Sequence, residues 1–238
     1  IELGPGRGTM MRDMLRATRI VPGFHAACRV ELVEASEALR EVQSRTLADA
    51  GLPIRWFTLE AELNGEHGPA IVVGNEFLDA ASVVQDVKVP DGWAERVVIL
   101  DASGRLVFAT GRAASSQPQR PDHLPDETIF ETQPHDAVLG RLADRARQHP
   151  VAALFIDYGH TTSAAGETLQ AVRNHAFEHP LTSPGEADLS VQVDFERVAI
   201  SARHRGLFVD GFTTQAEFLG RLDIVERASR LMSANPAK

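Results

Sequence analysis

Short apolar runs alternate with stretches of helical spacing through the first third of the chain. "IEL" reads as the end of a buried strand, and Met11, Met14 and Leu15 then recur at helical spacing in a predicted helix over residues 10–19, with Thr9 as its cap. Pro22 and Gly23 interrupt the pattern. "CRVELVEAS" carries a second strand over 29–33 and a helix over 36–50. "IRWFTL" is a third strand, and "AIVVG" at 70–74 a fourth, short and wholly apolar as buried parallel strands are. Strand and helix units in alternation predict an α/β fold layered on a parallel sheet.

From residue 83 to 110 the rhythm changes. "VVQDVKV", "ERVVIL" and "RLVFAT" are separated only by "PDGW" and "DASG", turns too short for helical crossovers, so they predict an antiparallel β meander. With the proline-rich loop "SSQPQRPDHLPDE" it forms an expected insertion over 83–135. A helix over 136–148, the apolar strand "VAALFIDYG", a helix over 195–205, a strand at "LFVDG" and a last helical region capped by Thr213 or Thr214 complete the pattern. Without an evident linker or repeat, residues 1–238 read as one domain. "IEL" is too short for the strand that must precede such a turn, and the first residue is Ile; the native protein is expected to begin upstream.

Composition narrows the function classes. The 238 residues carry a formal net charge of −9, which disfavours general binding to a nucleic-acid backbone. One cysteine, Cys28, makes no intrachain disulfide and points to a reducing compartment. No run of eighteen apolar residues spans a membrane, and no secretory leader is visible.

The chemistry concentrates where strands end. Gly4, Gly6 and Gly8 follow a strand and precede a helix, an arrangement that lets backbone approach a ligand and offers free amides. Dinucleotide enzymes prefer GxGxxG; here the pattern is acid-x-G-x-G-x-G, with Glu2 as the acid. Glu34, at the end of the second strand, is placed to accept hydrogen bonds from both ribose hydroxyls of an adenosine, a device nicotinamide enzymes share. Asn75, Glu76 and Asp79 in "GNEFLDA" and Asp157, Tyr158 and His160 in "FIDYGH" fall at the same rim. Asp79 has a second reading as a cap and Asp157 as a holder of neighbouring backbone. Among the nine histidines, His175 and His179 have the i, i+4 spacing of a helical metal pair, but no HExxH pattern accompanies them and no metal site is expected.

The glycine pattern resembles the first motif of class I S-adenosylmethionine (SAM) methyltransferases. "ELGPGRGTMMRDMLR", "GNEFLDA", "LFIDYGH" and "SPGEADLSVQVDF" together resemble the MidA family of SAM-dependent methyltransferases, and "VEAS", "TTQAEFL" and "PDGWAERVV" also fit. Leu78 replaces an aromatic, and "AASV" departs from the family's "ALPV". The resemblance implies a Rossmann-like core with insertions, SAM as cofactor, and methylation of arginine in a protein substrate, connected with respiratory complex I assembly. It assigns cofactor contacts to Glu2, Gly4, Gly6, Gly8, Glu34 and Asn75. Catalytic roles fall to Glu76, with Asp79 or Asp157 as partner on a guanidinium, and substrate contacts to Tyr158 and His160. It implies a cytoplasmic protein in a bacterium and a mitochondrial-matrix one in a eukaryote. The family's segments before the glycine motif and beyond the last helices are expected to be missing here. Rival readings are a small-molecule methyltransferase, a non-catalytic assembly or binding protein of the same fold, and an NAD oxidoreductase.

Overall fold

Five parallel strands form the central sheet of the computed structural model: β1 (Glu2–Leu3), β2 (Val30–Val33), β3 (Ile54–Phe57), β4 (Ala70–Asn75) and, after a long excursion, β9 (Val151–Ile156). Their order is β3-β2-β1-β4-β9. β1 is only two residues long yet sits in the middle, Glu2 pairing with Leu32 on one side and Val73 on the other. The structure describes residues 1–58, 68–115, 120–121 and 123–234. Leu59 of the expected third strand and residues 116–119 and 122 of the proline-rich loop lie outside the described residues.

Helices cover the sheet according to their apolar stripes. α1 (Thr9–Thr18) buries Met11 and Leu15 against Val30, Leu32 and Leu47, with Met14, Ile54 and Trp56 packed around them. Burying each such side chain stabilises the fold by about 1.5–3 kcal/mol. α1 begins one residue earlier than expected: Gly8, left-handed at φ 76°, is its N-cap, and Thr9 is its first residue rather than its cap. α2 (Phe24–Ala27) is a single turn, and α3 (Glu37–Thr46) is capped by the Ser36 hydroxyl, which accepts from the Leu39 N–H. On the opposite face α4 (Asp136–Ala146) buries Val138, Leu139 and Leu142 and sends Arg145 to within 3.7 Å of the buried Glu31.

Between β4 and α4 the chain builds an antiparallel sheet in the order β7-β6-β5-β8, from β5 (Val84–Val89), β6 (Gly92–Leu100), β7 (Leu106–Ala113) and β8 (Ile129–Thr132). Its buried Asp86 receives the Arg120 guanidinium. Beyond β9, β10 (Gly159–His160) pairs in parallel with β14 (Val193–Asp194). β11 (Gln170–Arg173) lies between β12 (Ala176–Glu178) and β13 (Asp188–Ser190). A Cβ on Gly159 would lie 2.0 Å from the Val193 carbonyl oxygen, so only glycine permits this pairing. His175 sits in the β11–β12 turn at φ 63° and His179 follows β12, so they do not share a helix. α5 (Phe195–His204) is capped by Asp194.

The strand expected at "LFVDG" does not form. Gly206 turns left-handed at φ 82°, and the Leu207 N–H bonds back to the Ala202 carbonyl, so the first residue of that apolar run closes α5. The chain divides into two compact units, Ile1–Leu207 and Phe208–Lys238. The second contains α6 (Gln215–Arg221) and α7 (Ile224–Ala234); Thr214 and Glu217 form a reciprocal capping box on α6. Among the described residues, no helix is long and apolar enough to cross a membrane.

Candidate functional site

Parallel strands end on one rim, and the order of this sheet reverses between β1 and β4. The crevice at such a reversal, beyond the carboxyl ends of the strands, is where open α/β sheets bind ligands. Two conspicuous stretches of sequence meet there: the glycine turn follows β1, and "NEFLDA" begins at the end of β4.

The three glycines do different work. All have positive φ, at 61°, 51° and 76° for Gly4, Gly6 and Gly8. A Cβ on Gly4 would meet the Phe77 ring at 3.1 Å, and one on Gly8 would meet Gln43 Cγ at 3.4 Å. These two let protein pack on the turn. A Cβ on Gly6 would meet nothing within 4 Å, so the middle glycine faces open space.

Below the turn Glu2 is 2% exposed, and among the described residues its Oε2 has no hydrogen-bond partner. Burial raises its pKa to about 7, against the opposing pull of the Met11 backbone N–H. An orphaned buried carboxylate oxygen beside an open glycine turn suits a ligand that brings a cationic group. Glu34, half-buried after β2, is fixed by its own N–H to the Phe57 carbonyl at 2.9 Å. Its Oε1 accepts from Ser36 N at 2.9 Å and its Oε2 from Gln43 Nε2 at 3.2 Å. Each carboxylate oxygen keeps a second lone pair for a hydroxyl donor. These residues fit the adenosyl and amino-acid parts of SAM.

On the β4 side, Asn75 is the last strand residue and pairs with Ile156. Glu76 follows in a left-handed conformation, φ 48°, with its N–H on the Ile156 carbonyl and its side chain exposed. A non-glycine residue there costs about 1–3 kcal/mol and persists only where its surroundings impose it. They do so through Asp157. Its Oδ2 accepts the N–H groups of Phe77 (3.1 Å), Leu78 (2.9 Å) and Asp79 (3.2 Å), and its Oδ1 that of Tyr158 (3.0 Å). Burial and the neighbouring Asp79 charge raise the Asp157 pKa despite those donors. Its geometry is that of a clamp on the turn. Asp79, 8% exposed, accepts the Tyr158 hydroxyl on Oδ2 at 2.6 Å.

Ser190 and Val191, from the "SPGEADLSVQVDF" stretch, arrive at the same place. Val191 N–H bonds to the Asp79 carbonyl at 3.3 Å, and the Ser190 side chain hydrogen-bonds Tyr158. His160 stands slightly apart: its Nδ1 engages the Thr162 carbonyl at 2.9 Å, and Glu196 is a nearby charge. Among the described residues no hydrogen bond joins it to Asp79 or Tyr158.

The structure thus brings Glu2, Gly4, Gly6, Gly8 and Glu34 to one side of the crevice, and Asn75, Glu76, Asp79, Asp157 and Tyr158 to the other. Sequence reasoning missed Gln43 and Trp56. A signal existed: Leu39, Gln43 and Leu47 fall at i, i+4 and i+8, so a glutamine interrupts the apolar stripe of α3.

A family model described as "Putative S-adenosyl-L-methionine-dependent methyltransferase" matches residues 1–213. The protein arginine methyltransferase NDUFAF7 homolog, mitochondrial, of Caenorhabditis elegans is 30% identical over 256 aligned positions, covering 98% of this chain and 59% of that protein. The protein arginine methyltransferase NDUFAF7, mitochondrial, of Danio rerio is 29% identical over 265 positions, covering 99% and 61%. The chain spans about three-fifths of the length of these curated relatives. A solved COG1565 superfamily member from Burkholderia thailandensis, bound to S-adenosyl-homocysteine, superposes with a TM-score of 0.80 at 27% identity, covering 96% of this chain and 61% of that one. Another from the same organism gives 0.82 at 26% identity, covering 99% and 65%. With the glycine turn, its orphaned acid and the match over residues 1–213 in agreement, the chain belongs to this family of S-adenosyl-L-methionine-dependent methyltransferases.

Proposed function

We propose that the protein transfers a methyl group from SAM to an arginine side chain of a protein substrate, and that the substrate is a subunit of respiratory complex I. The observation that carries this reading is Glu76, an exposed carboxylate held in a strained left-handed conformation beside Asp79, at the sheet reversal that also holds the glycine turn. The names of the curated relatives support the arginine assignment. Their mitochondrial designation supports a matrix location in a eukaryote; the counterpart in a bacterium would be cytoplasmic.

When bound, SAM supplies an electrophilic sulfonium methyl group. Gly6 would give it room on the turn, Glu2 would neutralise its ammonium end, Glu34 would accept from its ribose hydroxyls, and Asn75 would border it from the end of β4. Glu76 and Asp79 hold the guanidinium, whose planar fork matches carboxylate geometry. Positioning is the main catalytic contribution, because in-line displacement needs the nucleophile at near-contact distance with water excluded. Asp157 fixes the turn that presents both acids, and the Tyr158 hydroxyl fixes the Asp79 carboxylate. His160 borders the substrate side.

Labelled methyl transfer from SAM into a lysate by the full-length protein, followed by identification of the labelled residue, tests the proposal. Label on arginine of a complex I subunit is the expected result. Label only on small molecules, or on another residue type, would replace it.

A further inference from the structure

Gln43 has no place in the glycine motif or the acidic rim, yet it is 0% exposed. It lies on the sheet-facing side of α3, where a leucine would cost nothing to bury. A buried carboxamide is tolerated only when its hydrogen bonds are made. Here they are. Oε1 accepts the Trp56 indole N–H at 3.0 Å, and Nε2 donates to the Gly6 carbonyl at 2.7 Å and to Glu34 Oε2 at 3.2 Å. An indole nitrogen only donates and a carbonyl only accepts, so these partners fix which way the amide points.

One side chain therefore ties three strand ends together: the turn after β1, the acid after β2, and the aromatic of β3. The third glycine packs on the same residue: a Cβ on Gly8 would stand 3.4 Å from Gln43 Cγ, an ordinary van der Waals contact. Glu34 is locked without being filled, since Ser36 N and Gln43 Nε2 take one lone pair on each oxygen. Among the described residues no other donor is seen on that carboxylate, so one acceptor position remains on each oxygen, as a vicinal diol requires.

We propose that Gln43 is a positioning residue for SAM: it fixes the Gly6 carbonyl and the Glu34 carboxylate relative to one another, so that the turn and the ribose acceptor meet one ligand together. The inference rests on the reading of Glu34 as the ribose acceptor. It accounts for a buried amide that core packing alone does not call for.

The test uses the full-length protein and S-adenosylhomocysteine as probe. Gln43→Met keeps the volume and removes all three bonds; Gln43→Glu keeps the acceptor for Trp56 and removes both donors. Calorimetry on either variant is expected to show affinity at least tenfold weaker. The KM for SAM should rise in parallel, and kcat at saturating SAM should change less than threefold. The losses of Glu34→Ala and Gln43→Met should not multiply in the double variant, because one acts through the other. If Gln43→Met does not fold, Gln43→Glu carries the measurement. Lower melting temperatures with affinities within twofold of wild type in the folded variants would reduce Gln43 to a structural tie and overturn the proposal. If Glu34→Ala itself binds normally, the ribose reading fails and this proposal falls with it. A weakened Glu34→Ala beside unaffected Gln43 variants would sink the Gln43 role alone.

Discussion

The Tyr158 hydroxyl donates to Asp79 Oδ2 across 2.6 Å, joining the residue just beyond β9 to the turn just beyond β4. Burial and this bond push the phenol up to about 12, so it stays a donor throughout the physiological range. Among the described residues no hydrogen bond engages Asp79 Oδ1, and on the proposed function that oxygen would meet the substrate in a fixed orientation, next to the exposed Glu76. Tyr158→Phe should lower methyl transfer about tenfold, while S-adenosylhomocysteine affinity stays within about twofold, since only orientation on the substrate side is lost. Stability should fall by about 1–3 kcal/mol, the usual cost of removing a partner from a buried charged group. Single-turnover kinetics and urea unfolding read the two effects separately; unchanged turnover would remove Tyr158 from the substrate side.

Glu76→Gln keeps the side chain's size and removes its charge. Cofactor affinity should remain near normal while transfer to protein falls by about 10²-fold or more, as positioning and charge complementarity are lost together. Replacing the target arginine of the substrate by lysine should also stop transfer. Full turnover by Glu76→Gln on an arginine substrate would move the role to Asp79.

Gly6 faces open space where its two neighbours face protein, so its substitution separates ligand binding from packing. Gly6→Val should abolish detectable SAM binding by placing a branched side chain where the ligand meets the backbone, at a strain cost of about 1–2 kcal/mol for the positive φ. Gly4→Ala should act first on stability, because its new methyl lies 3.1 Å from the Phe77 ring. Calorimetry on a folded Gly6→Val that gives wild-type affinity would mean the ligand lies elsewhere.

Glu2 gives stability a pH signature. Its folded pKa, about 7, lies above its ordinary value of 4.5. The folded state therefore holds more protons than the unfolded state between those limits, and stability falls as pH rises through them. The contribution is full below pH 4.5 and gone above pH 7, on the order of 3 kcal/mol across the window. Urea unfolding at pH 5 and pH 8 should show this slope in wild type and a shallower one in Glu2→Gln. Since a ligand ammonium would favour the ionised form, binding near pH 7 should also release a proton, measurable as buffer-dependent binding heat. Equal slopes in both proteins would place the titration on other groups.

The parallel sheet was legible because its strands are short apolar runs between helical stretches, and β1 was recognisable from two residues because a glycine turn follows it. The rim acids were legible for the same reason: each stands one to four residues beyond a strand. β8 was missed because "IFET" gains its strand identity only from pairing with β5. The "LFVDG" strand was expected from β-forming residues, yet a strand needs a neighbour, and Gly206 used the run's first N–H to end α5. The division of labour among the three glycines could not be read from their spacing. It depends on Phe77 and Gln43, which reach the turn from 69 residues beyond Gly8 and 35 residues beyond Gly8.

On the proposed function, the left-handed backbone at Glu76 would set stability and activity against each other at a single codon. Glycine adopts that conformation without the penalty a side chain pays. Glu76→Gly would therefore be expected to raise the melting temperature of the protein while removing the charge it presents at the rim. A selection for thermostability alone would drift toward that substitution, and a selection for methyl transfer would oppose it. A glutamate that persists at such a position under laboratory evolution would mark the strain as the cost of its chemistry.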